Sequence, residues 1–202
     1  MRIGIIGTGG MATGFARGLV DEHDVRIGSR DPGRGKQTAS ELGAAGGGTY
    51  EDAARDAEVV ILAVPWTAVD ETLLALGDVS GRVVLDITNP YTAQGNLEPL
   101  DGTSTAEEIQ KKLPGASVVK GWNHVFSAVL EQPEIDGIRS SVMIAGDNQR
   151  AKETVFDLAR DLGFEPFDVG GLEATRSLEV FQLAQPGLGF YPDTAIRILK
   201  PS

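Results

Sequence analysis

The chain has 202 residues, a formal net charge of −11 and no cysteine. That length suits one large domain, and the missing thiols exclude disulfides, thiolate metal sites and cysteine nucleophiles. The acidic balance argues against nucleic acid, whose backbone calls for a basic patch. No apolar run approaches the ~20 residues of a membrane helix, and the opening MRIGIIG reads as a core strand and not a signal peptide. A cytoplasmic protein without membrane contact, and without a metal site, is expected.

Arg2 to Ile6 is a short apolar run of strand length, followed by Gly7-Thr8-Gly9-Gly10-Met11-Ala12, after which Phe15, Leu19 and Val20 recur at helical spacing. Strand, glycine turn and helix are what a dinucleotide pyrophosphate requires. The first glycine permits the tight turn, the second lets the backbone approach the phosphates, and a small third residue, here Ala12, lets helix and strand pack closely. The helix N-terminus then offers free N–H groups to the anion.

His23 to Gly28 is a second strand, and His23 reads as a turn residue. In NAD-binding units an acidic residue ends this strand and takes the ribose 2′-hydroxyl. Here the place holds Gly28, followed by Ser29 and Arg30, with Arg34 and Lys36 close behind. These cations suit a 2′-phosphate, Arg30 offering a planar fork of donors, so NADP(H) is expected over NAD(H). The alternative is an ordinary exposed basic loop.

A helix over 38–42, a short strand or loop over 44–49 and a helix over 50–57 follow. The nearly continuous apolar run 58–64 is a strand buried on both faces of a parallel sheet. Ligands of such sheets lie beyond the strands' carboxyl ends, which places Pro65 and Trp66 near the nicotinamide half, unless Trp66 only caps the core. A helix over 69–76 and a strand over 82–86 lead to Asn89-Pro90, either a ribose contact or a plain turn, and then to a long loop, 91–103.

Ser104-Thr105-Ala106-Glu107 has capping-box form and opens a helix ending near Leu113. Ser117 to Lys120 is the sixth strand. At its end stand Trp122, Asn123 and His124, an indole, an amide and an imidazole at the ligand edge. Asn123 and His124 are the candidate catalytic residues, bordering the acceptor site, although a structural role for His124 is equally open. Lys120 is either a desolvated general acid or a strand-end ion pair. A strand over 141–145, an amphipathic helix over 149–162, a strand over 165–169 and a helix over 172–183 complete the alternation, with a strand-like Ala195 to Leu199 in the tail. The pattern predicts one α/β domain over 1–202: a Rossmann-type, doubly wound, mostly parallel sheet of about eight strands, with a short C-terminal helical extension from about residue 170. The last helix carries apolar residues on more than one face, which predicts a homodimer.

These pieces together resemble the coenzyme F420-dependent NADP oxidoreductase family, whose nucleotide-binding unit recurs in the cytoplasmic domains of transmembrane ferric reductases. The resemblance rests on Gly7-Thr8-Gly9-Gly10-Met11, Gly28-Ser29-Arg30, Ala63-Val64-Pro65-Trp66, Ser104 to Glu107 and Val118 to Asn123. It continues through Ala145-Gly146-Asp147, Gly170-Gly171-Leu172 and Arg176 to Glu179. It implies that Thr8 to Met11 hold the pyrophosphate, that Ser29, Arg30 and Arg34 hold the 2′-phosphate, and that Val64, Pro65 and Asn89 lie beside ribose and nicotinamide. Trp122-Asn123-His124 looks closer to the ferric-reductase branch than to the deazaflavin reductases, which have a histidine where Asn123 aligns.

The function expected is hydride transfer between NADP(H) and a planar acceptor such as F420 or a flavin, chemistry that asks little of side chains beyond positioning. Two alternatives stand beside it. An imine or carbonyl reductase acting on a small substrate would need Lys120 or His124 as proton donor. A module that only senses NADP(H) would turn over nothing.

Overall fold

The computed structural model describes residues 1–187 and 195–199. Ten strands occur among them: β1 (Arg2–Ile6), β2 (Asp24–Gly28), β3 (Gly46–Gly48), β4 (Val59–Leu62), β5 (Val83–Asp86), β6 (Ser117–Lys120), β7 (Glu134–Ile135), β8 (Ile138–Arg139), β9 (Ser141–Gly146) and β10 (Glu165–Asp168). Eight form one sheet in the order β10-β9-β6-β5-β4-β1-β2-β3. The six from β3 to β6 run parallel, and β9 joins β6 antiparallel with β10 parallel to β9. This is the mostly parallel, Rossmann-type α/β sheet expected. Its central strands place the carboxyl ends of β1, β2, β4, β5 and β6 along one edge, which is where such folds bind ligands.

Both faces are covered because the strands are apolar on both. In β4, Val59 and Ile61 pack into one core with Phe15, Leu19, Val155 and Phe164, while Val60 and Leu62 pack into a second with Leu73, Ile109 and Leu172. In β6, Val119 and Val118 divide the same way. Alternating side chains of a strand point to opposite faces, so a run without polar residues must be buried twice. The helices α1 (Gly10–Leu19), α2 (Pro32–Leu42), α3 (Tyr50–Ala54), α4 (Val69–Leu74), α5 (Thr105–Lys112), α6 (Ser127–Glu131), α7 (Gln149–Asp161) and α8 (Thr175–Gly187) supply the cover.

Several boundaries differ from expectation for local reasons. Helix α2 starts at Pro32, not near 38, because the Asp31 carboxylate accepts the Gly33 N–H at 2.9 Å and Pro32 takes the first helical position. The basic segment is therefore partly helical, and Arg34 sits in the first turn of α2. A 3₁₀ turn, Trp66–Ala68, precedes α4, and another, Leu172–Ala174, precedes α8. The β7–β8 hairpin was not anticipated, since two-residue strands carry no period. Ala195 to Leu199 form no strand, although the Ile196 carbonyl accepts the Ser141 N–H at 2.7 Å. The rest of the anticipated tail, 188–194, lies outside the described residues. No helix among the described residues is long and apolar enough to cross a membrane.

Candidate functional site

The glycine turn after β1 is built from two kinds of glycine. Gly7 has φ +128° and a Cβ there would collide with the Ala63 carbonyl, so the protein itself demands glycine. Its N–H donates to the Gly28 carbonyl at 2.8 Å, tying the ends of β1 and β2 together. Gly9, the N-cap of α1, has ordinary φ −83° and open space where its Cβ would be. Nothing in the fold requires a glycine there. What the missing side chain leaves is room for a group to approach the first turn of α1, beside Thr8, Gly10 and Met11, where N–H groups have no intrahelical partner. Ala12, the small residue of the third position, is buried.

At the end of β2, Gly28 is buried, and a Cβ would crowd Ala53, the Thr49 carbonyl and Tyr50. Any larger residue at that position, a ribose-binding carboxylate included, requires the Thr49–Tyr50 backbone and Ala53 to give way. The nearby Asp31 is engaged in capping α2. Ser29 is 7% exposed, and its Oγ accepts the Asp31 N–H at 3.3 Å. Arg30, Arg34 and Lys36 are exposed, and none of the ion pairs among the described residues involves them. In a chain of charge −11, three unpaired cations within seven residues mark a surface suited to an anion.

The ends of β4, β5 and β6 adjoin this turn. Val64 is half-buried and Pro65 exposed, directly after Ala63, whose N–H bonds to the Ile6 carbonyl at 2.9 Å. Trp66 is half-buried and lines a cavity of about 660 Å³ with Tyr91, Leu100 and Thr103. Asn89 and Asn123 face each other across the exits of β5 and β6: Asn89 Nδ2 donates to the Asn123 carbonyl at 2.6 Å, and Asn123 Nδ2 to Asn89 Oδ1 at 3.0 Å. Asn123 Nδ2 also donates to the Leu178 carbonyl of α8 at 3.1 Å. Asn89 remains half-buried, whereas Asn123 is 4% exposed.

Two residues expected at the ligand edge, Trp122 and His124, point inward instead. Trp122 has φ 55°, unusual for a bulky residue, and this turn drives its indole into the core, edge-on to Phe15 at 5.3 Å and Phe164 at 5.9 Å between ring centroids. His124 is 3% exposed; Nε2 accepts the Met143 N–H at 3.2 Å and Nδ1 lies 3.3 Å from Asn123 Oδ1. The neutral ring protonated on Nδ1 satisfies both. Burial, with the Lys120 ammonium nearby, pushes its pKa down to about 4, against a smaller upward pull from the Ser141 backbone. Of the two readings of His124, this geometry is that of the structural one, a ring that ties the turn after β6 to β9. Lys120 is fully buried, with Nζ 2.8 Å from Asp86 Oδ2 and 3.0 Å from Glu179 Oε1, so of its two readings the geometry is that of the ion pair. Glu179, on α8, stands in the sequence only within the Arg176 to Glu179 piece of the resemblance, and its role was hidden because its partners, Thr105 and Lys120, lie on α5 and β6.

The model of the family described as NADP oxidoreductase, coenzyme F420-dependent, matches residues 2–90. The F420-dependent NADP reductase of Methanocaldococcus jannaschii is 32% identical over 198 residues, which cover 89% of this chain and 88% of that one. The metalloreductase STEAP3 of Rattus norvegicus is 33% identical over 184 residues, but the chain spans only 36% of its length. Among solved structures, a protein of Arthrobacter sp. FB24 described provisionally as an F420-dependent NADP reductase superposes with a TM-score of 0.87 at 29% identity, covering 99% of this chain and all of that one.

Proposed function

The chain belongs to the F420-dependent NADP oxidoreductase family, and on that footing we propose that it transfers hydride between NADP(H) and a planar acceptor, F420 or a flavin. The observation that carries the nucleotide half is the set of unpaired cations Arg30, Arg34 and Lys36 at an exit of β2 where a glycine stands in place of a carboxylate. The residues fit the nucleotide. The open space over Gly9 and the first-turn N–H groups from Thr8 to Met11 suit a pyrophosphate; Ser29, Arg30 and Arg34 suit the 2′-phosphate; Val64, Pro65 and Asn89 would hold ribose and nicotinamide. NADPH, when bound, supplies the hydride.

The chain's own work is to hold and to shield. Gly7 and Gly28 keep the turn close to the strand ends, and the Asn89–Asn123 pair fixes the edge beside Val64 and Pro65. The two side chains available as proton donors for imine or carbonyl reduction, Lys120 and His124, are both sealed in protein contacts. That favours an acceptor whose reduction asks for positioning over one that needs an acid at its reacting carbon.

A homodimer completes the reading. Helix α8 buries Glu179, Gln182 and Gln185 along with Leu178 and leaves Val180 and Leu183 about half exposed, apolar side chains that an ordinary surface helix would turn inward. A second copy covering that face would bury upward of ~2,000 Å² in total if the contact is obligate. A monomer by light scattering at micromolar concentration would remove the dimer from the proposal.

The test of function is loss of NADPH absorbance with F420, FMN, FAD and a panel of cyclic imines. Oxidation by a deazaflavin or flavin is expected. Tight NADPH binding with no oxidation by any acceptor would replace the enzyme with an NADP(H)-sensing module, and oxidation by imines alone would replace the acceptor class.

A further inference from the structure

Lys120 ends β6 and is completely buried. Its Nζ donates to Asp86 Oδ2 at 2.8 Å, to the Thr88 carbonyl at 2.8 Å and to Thr105 Oγ1 at 2.6 Å, and it lies 3.0 Å from Glu179 Oε1. An ammonium has three protons, and all three are used within the protein. The four partners belong to four separate pieces of chain: β5, the turn leaving β5, α5 and α8. Glu179 Oε1 also accepts the Thr105 N–H at 2.9 Å, and Asp86 Oδ1 accepts the Thr88 N–H at 2.8 Å.

Two consequences meet at Asn89. The Thr88 carbonyl that Lys120 holds is one peptide from Asn89, so the ammonium sets the path of the turn that presents the Asn89 amide. On the other side, α8 is held by polar ties as well as by its buried Leu178. Besides Glu179, the Leu178 carbonyl accepts from Asn123, and Gln185 Nε2 donates to the His124 carbonyl at 2.9 Å. Without the ammonium, Asp86 and Glu179 would face each other as two buried carboxylates with no cation between them. Breaking a buried ion cluster by removing one member is strongly unfavourable, so the turn and α8 would shift to admit water.

We propose that Lys120 is a positioning residue: through the Thr88 carbonyl and Glu179 it holds the Asn89–Asn123 edge and α8 in register for the nicotinamide half of NADP(H), touching no ligand itself. The inference rests on the nucleotide placement proposed above.

The test compares two probes, NADPH and 2′,5′-ADP, which keeps the 2′-phosphate end and lacks the nicotinamide. Dissociation constants are measured for the wild type, Lys120→Met and Glu179→Gln. Lys120→Met is expected to weaken NADPH by about tenfold or more, on the order of 1.4 kcal/mol, while 2′,5′-ADP stays within about twofold. Glu179→Gln keeps the size and the Oε1 acceptor, and should weaken NADPH in the same selective way by roughly two- to fivefold. Equal loss of both probes in Lys120→Met would mean general disruption and overturns positioning, as does no loss of either. If Lys120→Met does not fold, Glu179→Gln decides alone, and unchanged NADPH affinity there overturns the proposal. A wild type that binds neither probe, or binds both equally well, overturns the nucleotide placement itself, a different failure from any variant result.

Discussion

Asn89 and Asn123 exchange two hydrogen bonds across the exits of β5 and β6, at 2.6 and 3.0 Å, and so join two strand ends that no backbone bond connects at that level. The amide of Asn123 is a double donor here, to Asn89 Oδ1 and to the Leu178 carbonyl. Asn123→Asp removes both donors and sets a carboxylate against two acceptors in a nearly closed site. Each lost bond costs about 1 kcal/mol and each unpaired buried acceptor about 1–3 kcal/mol. A loss of about 2–5 kcal/mol in urea unfolding is expected, and Asn123→Leu, which adds no charge, should lose less. Equal stability of Asp and wild type would refute the arrangement.

Gly7 and Gly9 stand two residues apart and should respond oppositely to alanine. Gly7→Ala meets a left-handed backbone and the Ala63 carbonyl, so about 3 kcal/mol or more of stability should go. Gly9→Ala has ordinary φ and empty space; its unfolding free energy should stay within roughly 0.5–1 kcal/mol of wild type. Its NADPH affinity should nonetheless fall by about tenfold or more, because the methyl occupies room needed by the phosphates. Thermal melts with and without NADPH separate the two effects. A Gly9→Ala variant that binds NADPH normally would show that the space is not the phosphate site.

The glycine turn, the β4 run and the capping serine at Ser104 were legible because each is a local pattern: two to eight residues whose period or spacing has one good structural use. The start of α2 was legible in principle from Asp31-Pro32, but Gly33 and Gly35 weigh against a helix. Only the tertiary packing shows that Gly35 is needed: a Cβ on it would collide with the Gly48 carbonyl of β3, and one on Gly47 with the Gly35 carbonyl. The inward swing of Trp122 and His124 was not legible at all. Sequence places them correctly at the end of β6; the left-handed turn at Trp122 and the partners on α1, β9 and α8, far away in the chain, decide which way they face. Sequence leaves Lys120 between two roles for the same reason, since Asp86, Thr105 and Glu179 meet it only in three dimensions.

The pH dependence of stability should carry the mark of His124. Its folded pKa of about 4 lies below the ordinary imidazole value of 6.5. Below pH 6.5 the unfolded chain therefore takes up a proton that the folded chain refuses, and stability falls as pH drops from about 6.5 towards 4, by roughly 3 kcal/mol over the whole window. The carboxylates whose pKa is lowered, such as Glu107 beside Arg176, lose their contribution only from the ordinary carboxylate range downward. Between pH 6.5 and 5 the slope in urea unfolding should thus be largely that of His124, and His124→Gln should flatten it. An unchanged slope in that variant would mean that the ring is not held neutral.

Preference for NADP(H) should reside in Arg30 and its neighbours. A 2′-phosphate carries nearly two negative charges, which a protein of net charge −11 repels at long range unless local cations stand against it. Arg30 and Arg34 are exposed and in no ion pair among the described residues, so their guanidinium groups are available without breaking an internal contact. A charge-assisted hydrogen bond contributes roughly 1.5–3 kcal/mol. Arg30→Ala should therefore weaken NADPH by about tenfold to a hundredfold. The fold should be undisturbed, because the side chain contributes nothing to the core. NADH lacks the phosphate, and its affinity should change little. The discrimination between the two nucleotides then collapses in the variant while both still bind at the glycine turn. Ser29→Ala should lose less, since its Oγ is partly engaged with the Asp31 N–H. Dissociation constants for NADPH and NADH on wild type, Arg30→Ala and Ser29→Ala decide the matter. A wild type that prefers NADH, or equal losses for both nucleotides in Arg30→Ala, would show that the cations serve another anion.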